Sequence, residues 1–259
     1  MDGWVAWLLE HLVLGMLVLT RLSTLLMAMP AVGVGVPKRV RAFLAILITM
    51  LVLPAVAQAT PLHSLPAIDN LVDLAIAVGR EALIGMLIGA TIQLIITGIQ
   101  LGGEAITSTG GMQLGDAVDP TTASSMPSIA RLVGMLVTAV LLSIGGHRIM
   151  LGVLLDSFAA LPAGQVVFHE SMMTLLIDQL SAGMAAGVRV AAPVIAALLL
   201  SNLVTGLISR TMPQINVLAI GLSINALAML VVLALTIGSA GLVFQQELTI
   251  AVDRLNQLW

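Results

Sequence analysis

Residues 82–101 read ALIGMLIGATIQLIITGIQL, and residues 102–128 read GGEAITSTGGMQLGDAVDPTTASSMPS. The first stretch is predominantly apolar and carries no charge. A helix that crosses a bilayer needs roughly 20 such residues. A transmembrane barrel strand would alternate apolar and polar residues in about 10-residue pieces, and this run does not alternate. It predicts an α-helix in a membrane. The second stretch is rich in Gly, Ser and Thr, with three acids (Glu104, Asp116, Asp119) and no Lys or Arg. It reads either as a loop in water or as irregular backbone held at membrane depth. The latter is tolerated only inside protein or along a wet cavity.

Working outward, the same apolar pattern recurs in about six segments: Trp4–Met29, Val40–Ala57, Ala82–Leu101, Ile129–Ile144, Leu180–Ile208 and Val217–Phe244. Shorter helical pieces are expected at Val153–Leu161 and Met172–Ile177. The fold expected is all-α, a polytopic integral membrane protein. Composition agrees. The chain is 59% hydrophobic and 9% charged, against roughly 25% charged in soluble domains. Its net charge of −3 argues against nucleic acid as a partner. Having no cysteine excludes disulfides, thiolate metal sites and cysteine nucleophiles. The first segment follows Asp2 rather than a basic stretch and is too long for a signal-peptide core, so it reads as a retained helix. Lys38, Arg39 and Arg41 place the loop after it in the cytoplasm, and six crossings would then put both termini outside.

Charges inside the spans call for partners. Arg21 lies deep in the first segment and Arg189 near the middle of the fifth. An Arg at a helix centre costs about 2.5 to 3.5 kcal/mol on insertion scales. Each needs a counter-ion, such as Glu81 or Asp178, or a neighbour that is not lipid. Glu10, His11, Asn202 and Asn225 add polarity that favours a non-lipid neighbour. Arg80 and Glu81 open the third segment, where Glu81 suits the positive end of the helix dipole. Gly145-Gly146-His147-Arg148 reads as a helix C-cap with cations at the negative end. The pairs Gly85/Gly89, Gly98/Gly102 and Gly183/Gly187 each set two glycines on one helix face, where backbones can approach closely.

Catalytic patterns are missing. The sequence has no Gly-x-Ser-x-Gly, His-Glu-x-x-His or Gly-x-x-x-x-Gly-Lys. The histidines at 11, 63, 147 and 169 have no metal-ligand spacing. Neither a cofactor nor a metal is expected, and the chain does not read as an enzyme.

The ordered features resemble the FliR family of flagellar biosynthetic proteins and its relatives in virulence secretion. The resemblance covers about residues 10–245. It rests on Arg21 with Pro30, Val36-Pro37-Lys38-Arg39-Val40-Arg41, Gly79-Arg80-Glu81 with Gly85 and Gly89, and Gly102 to Asp119-Pro120. It continues through Gly145-Gly146-His147, Ser157-Phe158, Leu161-Pro162-Ala163-Gly164, Ala192-Pro193, Asn202, the run Arg210-Thr211-Met212-Pro213-Gln214-Ile215-Asn216, and Gly221.

The resemblance implies a non-enzymatic subunit of a bacterial type III export gate in the inner membrane, at the flagellar basal body. Its implied partners are the P and Q subunits (FliP, FliQ), the B and A subunits (FlhB, FlhA), and unfolded flagellar substrates. About residues 1–170 would be built like a P subunit and about 171–259 like a Q-type helix pair, with several segments forming bent hairpins. A pore plug would fall on Gly110, Gly111, Met112, Gln113, Leu114, Gly115, Asp116 and Asp119. Arg21, Glu81, Arg189 and Arg210 would serve as intramembrane charges for assembly. The alternative is a secondary transporter for a small solute, which also uses broken helices and midplane polar groups but should show inverted repeats.

Overall fold

The computed structural model describes residues 2–29, 36–59, 70–111, 128–165, 170–212, 214 and 216–258. Among them the regular structure is entirely helical: α1 (Asp2–Ala28), α2 (Lys38–Ala59), α3 (Leu71–Thr109), α4 (Ser128–Ser143), α5 (Gly146–Ala160), α6 (Glu170–Thr211) and α7 (Val217–Asn256). α2, α3, α6 and α7 are long and apolar enough to cross a bilayer, and the broken pair α4–α5 makes a fifth candidate. The described apolar part of α1, Leu12–Ala28, is shorter.

The helices overrun the apolar segments. α3 begins at Leu71 rather than Ala82 and ends at Thr109 rather than Leu101. Its last eight residues were part of the polar interruption. Within them Thr107 and Thr109 donate their hydroxyls to the carbonyls of Gly103 and Ala105 at 2.9 and 2.8 Å, one turn back. That bonding keeps the hydroxyls satisfied within the helix. Met172–Ile177 is not a separate piece but the first turns of α6, and α6 continues through Pro193. α2 likewise continues past Pro54 to Ala59. α7 extends to Asn256, twelve residues beyond the expected Phe244.

The chain divides into two compact units, and each stands by itself. Unit 1 comprises residues 1–93, 142–179 and 249–259. In it α1 and α2 pack together, with Gly15 against Leu53. α1 also packs on α3. A Cβ added at Gly85 would overlap the Arg21 carbonyl and Thr24 hydroxyl, and one at Gly89 would overlap the Ala28 methyl. Leu14, Leu17, Leu22 and Leu25 of α1 and Ile84 and Ile88 of α3 are all buried.

Gly145 adopts a left-handed conformation (φ 75°), and its amide donates to the Leu142 carbonyl at 3.1 Å. This glycine ends α4 as expected. His147 and Arg148, however, fall in the first turn of α5 rather than at the negative end of α4.

Unit 2 comprises residues 94–141 and 180–248. Its centre is a seam of bare backbone. Cβ atoms built on Gly98 and Gly102 would run into the backbones of Gly183 and Gly187 respectively. The pairing 98 with 183 and 102 with 187 means that these parts of α3 and α6 run parallel. Small residues at such crossings allow van der Waals contact and weak Cα–H···O bonds where lipid supplies no hydrophobic drive. Beside the seam lies an apolar cavity of about 410 Å³, lined by Leu101, Ala105, Ala191, Ile195 and Ala196 among others.

Much apolar surface faces outward, including Leu51 and Met50 on α2, Val188 and Leu203 on α6, and Leu235 and Leu242 on α7. Soluble monomers rarely expose contiguous apolar patches beyond a few hundred Å². This surface belongs in lipid or against other membrane helices.

Candidate functional site

Three polar clusters stand out in this apolar chain. The first is fully inside unit 1. The Arg21 Nε donates to Glu81 Oε2 at 2.5 Å and its Nη2 to Glu81 Oε1 at 3.1 Å, a two-pronged pair with both side chains at zero exposure. Arg21 Nη1 donates to the Ser157 hydroxyl at 3.0 Å, and Nη2 also donates to the Leu161 carbonyl at 3.1 Å. The Gly164 amide donates to Glu81 Oε1 at 2.7 Å. The guanidinium lies 3.9 Å from the centroid of the Phe158 ring. Both charges therefore have their hydrogen-bonding capacity largely filled, which is what a buried pair requires.

This geometry changes two sequence expectations. Glu81 lies in the interior of α3, ten residues past Leu71, so it is not a helix cap. Its role is to neutralise Arg21. Arg21 in turn has a counter-ion within its own chain, one of the two alternatives that composition left open. Ser157, Phe158, Leu161 and Gly164 were visible only as members of a pattern. Nothing in the sequence assigned them to Arg21, because 136 or more residues separate Ser157 and Leu161 from it along the chain.

The second cluster lies in unit 2. Arg189 Nη1 donates to Glu247 Oε1 at 3.0 Å. The Glu247 side chain is 7% exposed, whereas that of Arg189 is 57% exposed. Glu247 was missed as a partner because α7 was expected to end at Phe244. Asp178, the carboxylate suggested for this role, does not form the pair. Arg210 lies exposed in the last turn of α6, apart from both ion pairs.

The third cluster joins α6 and α7 to the end of α3, also within unit 2. The Ser201 hydroxyl donates to Asn225 Oδ1 at 2.6 Å, and Asn225 Nδ2 donates to Asn202 Oδ1 at 2.8 Å. The two amides reach the last carbonyls of the α3 end. Asn225 donates to Gly110 O at 3.3 Å and Asn202 to Thr109 O at 3.1 Å. The contacts Ser201–Asn225 and Arg189–Glu247 pair earlier residues of α6 with later ones of α7. The two are an antiparallel hairpin.

Of the plug candidates, Gly110 and Gly111 are described. Gly110 is buried, its amide donating to Ile106 O at 2.9 Å. Gly111 has φ 71°, a conformation that L side chains rarely adopt, so glycine is needed there. Met112, Gln113, Leu114, Gly115, Asp116 and Asp119 lie outside the described residues. No group of three or more His, Cys, Asp or Glu that could hold a metal occurs among the described residues.

The arrangement is one of charge neutralisation and close helix packing over an extended membrane surface. Comparison with known proteins agrees. Residues 12–250 match the family described as bacterial export proteins, family 1. The flagellar biosynthetic protein FliR of Escherichia coli K12 is 33% identical over 187 residues, covering 72% of this chain and 69% of that one. The FliR of Caulobacter vibrioides is 27% identical over 229 residues, covering 88% and 90%. That of Pectobacterium carotovorum is 29% identical over 231 residues, covering 86% and 85%. The chain therefore belongs to the bacterial export proteins of family 1, the family of the FliR proteins, and serves flagellar protein export as a multi-pass membrane protein.

Proposed function

We propose that the chain is a structural and gating subunit of the flagellar type III export gate. It joins the P and Q subunits (FliP, FliQ) in a helical, cone-like assembly at the basal body in the inner membrane, next to the B and A subunits (FlhB, FlhA). Both termini face the periplasm. Residues up to about 170 act as a P-type part and the remainder as a Q-type helix pair. The long antiparallel hairpin of α6 and α7 supports that division. Gly110, Gly111, Met112, Gln113, Leu114, Gly115, Asp116 and Asp119 form the plug of the closed pore, and unfolded flagellar proteins displace it in passing.

The observation that carries this reading is where the candidate plug begins. Its first residue, Gly110, is buried between Leu198 of α6 and the Asn225 amide of α7 rather than lying at an outer edge. A segment that leaves from inside a membrane helix cluster is suited to occlude. Low fixed charge also spares a passing polypeptide an electrostatic trap. Opening is then an order–disorder change of a segment.

Affinity purification of the tagged chain from native membranes tests the subunit role. P-type and Q-type subunits are expected to accompany it in a fixed ratio. Arg189→Leu is expected to lower the yield of that complex severalfold, because the substitution leaves the Glu247 carboxylate buried and unpaired. Solute uptake by the purified chain alone would overturn the reading, and full complex yield with lost export in Arg189→Leu would overturn the assembly role of that residue.

A further inference from the structure

The last carbonyls of a helix have no partners within it and must find them elsewhere. At the end of α3 two different solutions sit side by side. The Ile106 and Ser108 carbonyls accept from the backbone amides of Gly110 and Gly111, at 2.9 and 3.3 Å. The next two, Thr109 and Gly110, accept instead from the side-chain amides of Asn202 and Asn225, which belong to α6 and α7. The helix end is thus capped partly by its own chain and partly by two other helices.

We infer that Asn225 and Asn202 are positioning residues that hold Thr109 and Gly110 against the α6–α7 hairpin, and that this hold keeps the closed state. The inference rests on the closed-pore reading above and adds to it the element that sets the closed position. Asn225 is suited to the task. It is 5% exposed, and its oxygen and both amide hydrogens are used: Ser201 donates to it, and it donates to Asn202 and Gly110. In an apolar surrounding such a filled amide is worth keeping only if each bond is made, since every group left unpaired is costly. The side-chain bonds also differ from the backbone ladder of α3 in one respect. They can break without unwinding any helix, so the end of α3 can be released as a unit. Gly111, whose positive φ of 71° is open to glycine and rarely to other residues, supplies a pivot at the end of α3.

The absence of cysteine from the chain gives a clean reporter. Thr109→Cys is placed in cells carrying the complete export apparatus, and its alkylation by a maleimide is timed together with entry of a membrane-impermeant dye and the yield of the complex. Thr109 is half-buried and its hydroxyl bonds only to Ala105 O of its own helix, so the substitution spares the junction.

Asn225→Leu, which keeps the volume and removes the amide, is expected to raise the alkylation rate about tenfold, the upper range for losing its one bond to the α3 end. Dye entry is expected to rise with complex yield unchanged. Gly206→Ala, on α6 outside the junction and with open space where its Cβ would be, is the control and is expected to change neither readout. If Asn225→Leu lowers complex yield, the exposed Asn202→Ala is read in its place, with a severalfold rise expected.

Unchanged alkylation in an assembled complex overturns the hold. Faster alkylation with a tight membrane overturns its part in closure, provided that deletion of residues 110–116 leaks in the same cells and so leaves the plug itself standing. If that deletion is tight, the plug reading has failed and the closure role falls with it, while the alkylation rate still decides the hold.

Discussion

Arg21→Leu is expected to abolish recovery of the folded chain in its complex. The substitution removes the positive charge bonded to Glu81, leaving a carboxylate at zero exposure with, among the described residues, the Gly164 amide as its remaining donor. It also strips the Ser157 hydroxyl and the Leu161 carbonyl of a donor. Removing one member of a buried pair costs about 3–5 kcal/mol, a large fraction of the roughly 5–15 kcal/mol that holds a domain folded. Glu81→Gln keeps an oxygen for the Gly164 amide and Arg21 and is expected to be milder. The double change Arg21→Leu with Glu81→Leu removes both charges and should recover part of the loss. Detergent-resistant complex yield and thermal denaturation of the purified complex read all three. Equal yields for wild type and Arg21→Leu would remove the pair from any account of how unit 1 is held.

Gly98→Val is expected to have the next largest effect. Its Cβ would meet the carbonyl carbon, oxygen and Cα of Gly183, all backbone atoms of a helix. No side-chain rotation relieves that overlap, so α3 and α6 must separate. Overpacking of a close-packed site costs about 1–3 kcal/mol and occasionally more, and the parting helices also lose the tight contact that holds unit 2 together without help from the hydrophobic effect. Gly206, on the same helix as Gly183, has open space where its Cβ would be. Gly206→Ala is therefore the matched control, expected to be neutral or slightly stabilising through helix propensity. Proteolysis of the complex in detergent separates the outcomes. Equal resistance of Gly98→Val and Gly206→Ala would show that the seam is not a constraint.

Each of the six apolar segments is carried by a helix of the structure, the first and the fourth running one residue past its end, because hydrophobicity reports directly on helices that face lipid or one another. The segments end where hydropathy falls, but the helices do not. Asp73 and Arg80 lie inside α3, and Glu247 and Arg254 inside α7. Backbone hydrogen bonding carries a helix on through polar residues whenever those residues have water or partners. That misreading had a consequence at two sites. It placed Glu81 at a helix start, and it left Glu247 outside the helix where Arg189 finds it.

Gly102 and Gly103 misled differently. In a soluble chain two glycines before Ser and Thr suggest a loop. Here Gly102 packs against Gly187 and Gly103 against Ala130, and α3 passes straight through both. The glycine pairs themselves were legible as close-contact faces, since the spacing of four puts them on one side whatever the partner. Which helix they meet was not, because that is fixed by the fold of unit 2 and not by local sequence. The amide junction was legible only as two polar residues within spans. Its partners are carbonyls, which every residue has and no sequence distinguishes.

Family membership sets this chain among structural components of flagellar export. We propose that it also closes the pore. Dye entry into cells whose apparatus carries a deletion of residues 110–116 tests that most directly, with complex yield measured on the same cells. The expected result is an assembled complex at wild-type yield and a membrane leaky to small solutes. A tight membrane around a fully assembled complex would contradict it.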